Sequence, residues 1–521
     1  MNESNFRPED YAHIACYSQT GEVPFNGNEE IQIALSESGA ITVQADRTPL
    51  TFVRIRWNLS LPTDALTLGD AWERSYGDLE WRHLNAAHFM PWYFLLQTQT
   101  DIYGFGVKVR PGAFVGWTAD PLGVSCWLDL RNGGKGVRLN GRSLHAADLV
   151  FSKYSGISPW QAARRFCHEM CTDPIFPKTP VYGSNNWYYA YGNITEASVL
   201  EDCRLLADLT TGLANRPVMV IDDGWQVMRQ ENQPNYGPWN RGNEFFPSMD
   251  KIAEKMKAQG VRPGIWYRPL FLRSEIIPGG AYLRNEKWIL DPSHPDVLTQ
   301  VSQDVSCFRD WGFELLKHDF STVDTTGNYG FAAHPWLCSG DWGFFDRSHT
   351  TAEILRELYR TIRRAAGDML ILGCNVAGHL AAGFQELSRT GDDTSGRRWE
   401  RTRKMGINTL AFRHAQHRTF FDMDADCVGI SGKIPWHFNR QWAKLIAASG
   451  SSLFLSPKPG VLSEQETAEV KELFRLAAQG KIQAEPLDWM TNPCPAIWKI
   501  AGEKVTLALY DASGDEPDFL P

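Results

Sequence analysis

A lysine and an aspartate two positions apart, Lys317 and Asp319, close the apolar run at residues 313–321, which reads FELLKHDFS. An apolar run of this length ending abruptly in charge is the pattern of a parallel strand covered on both faces, with its functional groups at the C-terminal end. Alone, a lysine and an aspartate so spaced are more often a surface ion pair. Two further acidic sites change that balance. Asp222 and Asp223 end a second apolar run at 217–221, and Asp392 and Asp393 follow a segment at 385–389. Carboxylates repel one another, and stability alone favours leaving them solvated, so their gathering at one set of strand ends argues for function.

Two carboxyl groups on opposite sides of a pocket, flanked by tryptophans and hydrogen-bonding groups, are what glycoside hydrolysis needs. One attacks the anomeric carbon and the other protonates the leaving oxygen. Lys317 shares a strand face with Asp319 and is expected to keep it ionised, which makes Asp319 the candidate nucleophile. Asp392 is the candidate acid, with the negative charge of Asp393 beside it expected to help it hold and release a proton. No metal or other cofactor is needed for this chemistry. His414 and His417, ahead of Asp422, Asp424 and Asp426, offer metal-ligand types as an alternative.

What must position these groups is an alternation of strands and helices that starts near residue 180. Strands are expected at 185–189, 217–221, 262–267, 313–319, 369–374, 385–389, 409–412 and 452–455. Between them, Thr195 caps a helix with Val199, Cys203 and Leu206 on one face, and Pro295 opens another striped by Val297, Val301, Val305 and Phe308. Eight parallel strands in roughly 270 residues is the size of a (β/α)8 TIM barrel. A doubly wound open sheet is the rival, but no G-x-G-x-x-G follows the first strand.

The flanks read differently. Residues 1–178 carry short alternating runs such as 31–35 and 51–57 with turn clusters at 132–134 and 140–141, the signature of an N-terminal β-sandwich. Within it, residues 68–77 (LGDAWERSYG) are polar and aromatic at once, which suits either a loop reaching a neighbouring domain or a packed corner. Ser158 and Pro159 start a connecting helix. The barrel is expected over 179–456. Residues 457–521 hold a helix capped by Ser463 and Glu466 and two strands at 496–500 and 505–510, a β-rich segment that either docks on the barrel or begins a truncated domain.

The totals exclude some partners. A chain of 521 residues makes two or three domains, and a net charge of −9 leaves no electrostatic footprint for nucleic acid or an anionic membrane. The opening residues lack a basic n-region and an apolar h-region, and no run of about 18 apolar residues occurs. The expectation is a soluble, cytoplasmic protein with reduced cysteines, its self-association left open. Twenty Trp, 27 Phe and 16 Tyr supply flat faces on which sugar rings stack, in keeping with an oligosaccharide or glycoside substrate.

Six motifs, in order and each at an expected strand end, carry a resemblance. They are Trp187, the D-D-G-W of 222–225, the G-I-W-Y of 264–267, the K-H-D of 317–319, Cys374 and the R-T-G-D-D of 389–393. This order resembles the melibiase clan, glycoside hydrolase families 27 and 36, typified by α-galactosidases, and the β-rich segment before it looks like the N-terminal sandwich of family 36. The resemblance implies a retaining enzyme with Asp319 as nucleophile and Asp392 as acid and base. It implies that Asp222 and Asp223 hold the 4- and 6-hydroxyls of galactose and that Lys317 contacts ring hydroxyls. Trp187, Trp225, Trp266, Cys374, Arg389 and Asp393 complete the expected substrate-binding set.

The departures matter as well. Arg389 stands where the family's W-T-S-D has tryptophan, and Cys374 is followed by Asn375-Val376-Ala377-Gly378-His379 in place of a glycine-rich segment with an arginine. These changes fall where the 2-substituent and the aglycone lie. They keep α-N-acetylgalactosamine and β-L-arabinopyranose in view as the sugar, and Glu386, Asp393 and Asp426 as alternative acids. A transglycosylase of the raffinose-synthase type and a non-catalytic carbohydrate-binding protein are the competing functions.

Overall fold

The computed structural model describes residues 7–25, 29–227, 237–271, 281–284 and 288–512. Its centre is a ring of eight parallel strands: β1 (Tyr182–Asn185), β2 (Val218–Ile221), β3 (Arg262–Tyr267), β4 (Leu315–His318), β5 (Leu370–Gly373), β6 (Leu387–Arg389), β7 (Asp422–Asp424) and β8 (Leu453–Pro457). Each pairs with the next from β1 to β7, and β8 pairs with β1. The last gap closes through a parallel bridge of Asp424 with Ser452, whose N–H donates to the Met423 carbonyl at 3.0 Å. A short run at Val428–Ile430 then lies along β8. Every residue of β2, β4 and β8 is buried, as expected for strands covered on both faces.

The outer layer follows from helix-start signals. Thr195 caps α1 (Glu196–Leu209), and Met249–Ala258 is α2. Pro295 opens α3 (Pro295–Asp310), and Thr350 and Glu353 form a capping box for α4 (Thr351–Ala366). Trp436–Ser449 is α5, and Ser463 with Glu466 caps α6 (Glu464–Ala477). The stripe of Val297, Val301, Val305 and Phe308 on α3 is buried against the sheet.

Two expected strands are misplaced. The first barrel strand is 182–185, and Trp187–Ala190 is a helical turn, because the Asn185 side chain accepts the Trp187 N–H at 2.8 Å and bends the chain out of the sheet. Residues 409–412 are helical, continuing Trp399–Arg401 through a π-helical stretch at Thr402–Asn408. A short apolar run does not separate a buried helix from a strand. The seventh strand is Asp-Met-Asp, whose acids disfavour the strand reading.

Before the barrel, the described residues form thirteen strands in two antiparallel sheets of six and seven, with Trp57, Phe94, Phe105 and Trp117 among the side chains buried between them. The connecting helix Pro159–Met170, capped by Ser158, lies on this sandwich at Gly104, where a Cβ would sit 2.5 Å from the Phe166 ring. Leu68, Trp72, Trp92 and Phe114 share one continuous core with barrel residues such as Leu380 and Phe420, so sandwich and barrel are packed together. After α6, a three-stranded sheet of Ala484–Pro486, Ile497–Ile500 and Glu503–Thr506 follows. This tail rests on the barrel's helices: Trp399 Nε1 donates to the Leu509 carbonyl at 2.7 Å and Asn408 Nδ2 to that of Pro493 at 2.6 Å. All ten cysteines are free. Among the described residues no helix is long and apolar enough to cross a membrane.

Candidate active site

β2, β3 and β4 finish side by side, with Trp266 paired in register to Lys317 and Tyr267 to His318. Asp319 is the first residue past β4. Its N–H donates to the Tyr267 carbonyl at 2.9 Å, and the chain then turns through a left-handed Phe320 at φ 59°. That turn aims the Phe320 N–H back at Asp319 Oδ1, at 2.8 Å, while Trp266 Nε1 donates to Oδ2 at 3.3 Å. Lys317 bonds Asp222 Oδ2 at 2.6 Å, and Asn185 Nδ2 donates to the same oxygen. Burial pushes an ammonium group down, but the charge of Asp222 outweighs it and holds Lys317 well above its ordinary value. The expectation that Lys317 serves Asp319 is thus corrected: its ion pair is with Asp222. Inward-facing layers of a (β/α)8 barrel are built from alternate strands, which brings the ends of β2 and β4 together.

The β6 side is completed from outside the barrel. Residues 69–77 run from the sandwich across the barrel mouth as a strap. Asp70 is buried with Arg413 at 2.9 Å and Gln416 at 2.7 Å, and Trp72 Nε1 donates to the Pro335 carbonyl at 3.0 Å. Ser75 pairs with the β6 exit: its N–H donates to the Thr390 carbonyl and its carbonyl accepts from Asp392 N–H, each at 3.0 Å. This register delivers Arg74 to Asp392 Oδ1 at 2.8 Å, while Arg401 holds Oδ2 at 2.9 Å. The charges nearest Asp392 are therefore two guanidiniums, where the sequence suggested a negative neighbour. Asp393 turns instead toward Arg389 at 3.3 Å. Burial raises the Asp393 carboxyl, but Arg389, Arg74 and Lys317 together outweigh it and hold it below the ordinary value.

Arg389 is buried across the same end of the barrel, 3.2 Å from Cys374 Sγ and 3.1 Å from Asp426 Oδ2. Behind the strap lies Glu73, whose carboxylate accepts from Tyr76 Oη, Asn375 Nδ2 and, at 3.3 Å, Gly330 N–H. Burial pushes Glu73 up to about 6, against the pull of Arg74. Glu73, Arg74 and Arg401 were not legible as site residues. The one available signal was the mixed polar and aromatic character of 68–77, which has here the domain-bridging outcome.

The remaining candidates separate. Trp187 is half-buried and packs on Tyr191 with ring centroids 5.4 Å apart, and Asp223 accepts from Gln226 Nε2. Trp225 is fully enclosed: its ring packs on Phe308 of α3 and on Trp311, with Nε1 donating to the Trp266 carbonyl at 3.0 Å. It faces the helix layer, so its expected contact with sugar is corrected to support of β3. Glu386 precedes β6 and pairs with Arg363 at 2.8 Å, at the opposite end of the barrel. Asp426 is buried and saturated by Arg389, Tyr188 Oη and Thr394. His414 and His417 stack at 5.2 Å and bond the Ser449 carbonyl and the Met423 N–H. Among the described residues no group of three or more His, Cys, Asp or Glu is arranged to hold a metal.

The fold, a closed (β/α)8 barrel behind an antiparallel sandwich, is similar to that of solved α-galactosidases. The α-galactosidase TtGalA of Thermus thermophilus, solved with p-nitrophenyl α-D-galactopyranoside, superposes with a TM-score of 0.60 at 17% identity over 92% of this chain and 99% of that one. A single-substitution variant of the family 36 α-galactosidase AgaA of Geobacillus stearothermophilus, solved with 1-deoxygalactonojirimycin, gives 0.59 at 14% identity over 90% of this chain and 73% of that one. In sequence, an α-galactosidase of Oryza sativa subsp. japonica is 31% identical over 145 residues, 27% of this chain, and AgaA is 27% identical over 115, or 21%. The matched segments span 30% and 14% of those relatives' own lengths. No family model matches the chain.

Proposed function

We propose that this chain is a retaining glycoside hydrolase that removes terminal α-galactosyl or galactose-like residues from oligosaccharides. The observation that carries the reading is the β4 side of the mouth, where Asp319 is held by Trp266 and its own turn next to the Lys317–Asp222 pair. An Asp319 oxygen bonds to the anomeric carbon as the glycosidic C–O bond breaks, and Asp392 gives its proton to the leaving oxygen. Water then attacks the same carbon, returns a proton to Asp392 and frees Asp319. Asp222, Asp223, Lys317, Trp187 and Trp266 bind the sugar. Cys374, Arg389 and Asp393 shape the side of the site beneath Asp392.

In this reading residues 1–178 are the sandwich that supplies the strap, 179–456 the catalytic barrel and 457–521 the segment after it, whose described residues dock on the barrel. The ten free cysteines suit a reducing cytoplasm. The test is turnover of α-galactosyl fluoride and p-nitrophenyl α-galactoside, with NMR of the first sugar released. Release of α-galactose first is the expected result. Release of the β-anomer overturns retention, and no turnover of either compound overturns the reading.

A further inference from the structure

We propose that Tyr76, Tyr329 and Phe331 form the subsite for the sugar ring on the leaving-group side of the scissile bond, an inference that rests on the function proposed above. The three rings come from distant segments. Tyr76 follows Ser75, whose carbonyl accepts the Asp392 N–H, and it follows by two residues the arginine that grips the Asp392 carboxylate. Tyr329 and Phe331 belong to the long connection between β4 and α4. Both have ring centroids 6.3 Å from that of Tyr76, at interplanar angles of 47° and 52°.

The arrangement is built, and one buried group builds it. Glu73 accepts from Tyr76 Oη and from the Gly330 N–H between the two other aromatics, tying strap and connection to a single carboxylate. Gly330 sits at φ +56°, and a Cβ there would already touch the Tyr76 ring at 3.4 Å, so the backbone lies directly against that ring. Yet Tyr329 is 53% and Phe331 68% exposed. A framework fixed from below that leaves two large aromatic faces in water is organised for a ligand.

Position selects the occupant. The group that Asp392 protonates is the leaving oxygen, so whatever that oxygen carries lies beside the strap next to Asp392. A hexose presents an apolar C–H face to an aromatic ring and hydroxyls at its rim. Those hydroxyls have polar partners at hand, because a cleft of about 350 Å³ begins at Phe331 and is lined by Asp78, Glu80, Arg82 and His88. The chemical class is therefore an oligosaccharide whose second unit stacks on Tyr329 and Phe331.

The test uses the full chain with two substrates of the same galactosyl group. Raffinose has a sugar as leaving group, and α-galactosyl fluoride has only a fluoride ion. Tyr329→Ala and Phe331→Ala, both at exposed positions, should each raise KM for raffinose by roughly threefold to tenfold, the size of one lost aromatic contact. Values of kcat/KM for the fluoride should stay at wild type, and Tyr329→Phe should keep wild-type values on both. Unchanged raffinose kinetics in both alanine variants overturn the inference while leaving the proposed function standing. An equal fall on both substrates overturns it too, as does loss of self-association in sedimentation without a kinetic change, which marks the patch as a contact between copies. Wild-type protein inert toward both the fluoride and p-nitrophenyl α-galactoside overturns the proposed function and the inference with it.

Discussion

The β4 and β6 sides of the barrel mouth each present a carboxylate, and they are built in different ways. On the β4 side Asp319 is held, among the described residues, by neutral N–H donors from the adjoining strand end and from its own turn. On the β6 side Asp392 is gripped by two arginines, one from a helix of the barrel and one carried in by the sandwich. A nucleophile must be free to advance on carbon, and weak neutral donors hold it in place without fixing it. A proton donor must meet the leaving oxygen at one position, and the two guanidiniums fix where the Asp392 side chain sits, although the proton it gives must first be taken up against their charge. The difference teaches that one half of the proposed chemistry is intrinsic to the barrel, while the other depends on a docked domain.

The largest expected effect tests this division directly. With α-galactosyl fluoride, whose leaving group needs no proton, Asp319→Ala should lose at least about a thousandfold in kcat. Asp392→Ala should lose far less on that substrate and much more on raffinose. Equal losses on the fluoride would break the comparison. Trp225→Ala probes the support of the β4 side from the outer layer. Emptying a fully enclosed indole among Trp239, Phe308 and Trp311 should cost about 3–5 kcal/mol in chemical denaturation. The fraction that remains folded should keep the wild-type ratio of raffinose to fluoride turnover, and a changed ratio would mean that Trp225 reaches the β6 side.

Arg74→Met cuts the link between sandwich and acid. It should lower kcat on raffinose by roughly ten- to a hundredfold, up to the lower bound of what a general acid contributes because the acid itself remains, with little change on the fluoride. Arg74→Lys keeps a charge without the planar fork and should recover part of the loss. A uniform fall on both substrates would show instead that Arg74 serves the whole mouth.

These contrasts also explain what the sequence could and could not convey. The β4 side is local: the apolar run before Lys317, the strand-end acids Asp222 and Asp319 and the Trp266 register all follow from short-range pattern. The strands that were misplaced fail for local reasons too, since Trp187-Tyr188-Tyr189 has strand composition but follows Asn185, whose side chain takes the Trp187 N–H, and Asp422-Met423-Asp424 is a strand written in acids. The pairing of Lys317 with Asp222 needed barrel geometry, because alternation along one strand cannot say which neighbour an amine reaches past the strand's end. Arg74 was out of reach altogether. Its partner Asp392 lies far along the chain, and the backbone bridge at Ser75 brings the two together.

The smallest effect gives the two sides opposite signs in pH. Behind β3, Asp304 of α3 accepts from Tyr267 Oη and Gln300 Nε2, each at 2.9 Å, and burial pushes its carboxyl from 3.8 up to about 7. Between those values the folded protein keeps a proton that the unfolded chain has released. The contribution of Asp304 to stability is therefore whole below about 3.8 and is lost as pH rises to about 7. Asp393, held below its ordinary 3.8 by Arg389, Arg74 and Lys317, has the reverse sign: its contribution is present above that value and is lost as pH falls through the lowered one. Melting temperatures across pH 3 to 8 should separate them. Asp304→Asn keeps an acceptor for Tyr267 without the ionisation, so it should flatten the decline toward neutral pH and melt above wild type at pH 8. Asp393→Asn should leave that decline unchanged and weaken the fall at the acid end, an effect muted because its side chain is 38% exposed. An Asp304→Asn protein that declines toward neutral pH as steeply as wild type would show that the buried carboxyl is already ionised, with Tyr267 holding it, and the opposition between the two sides would be lost.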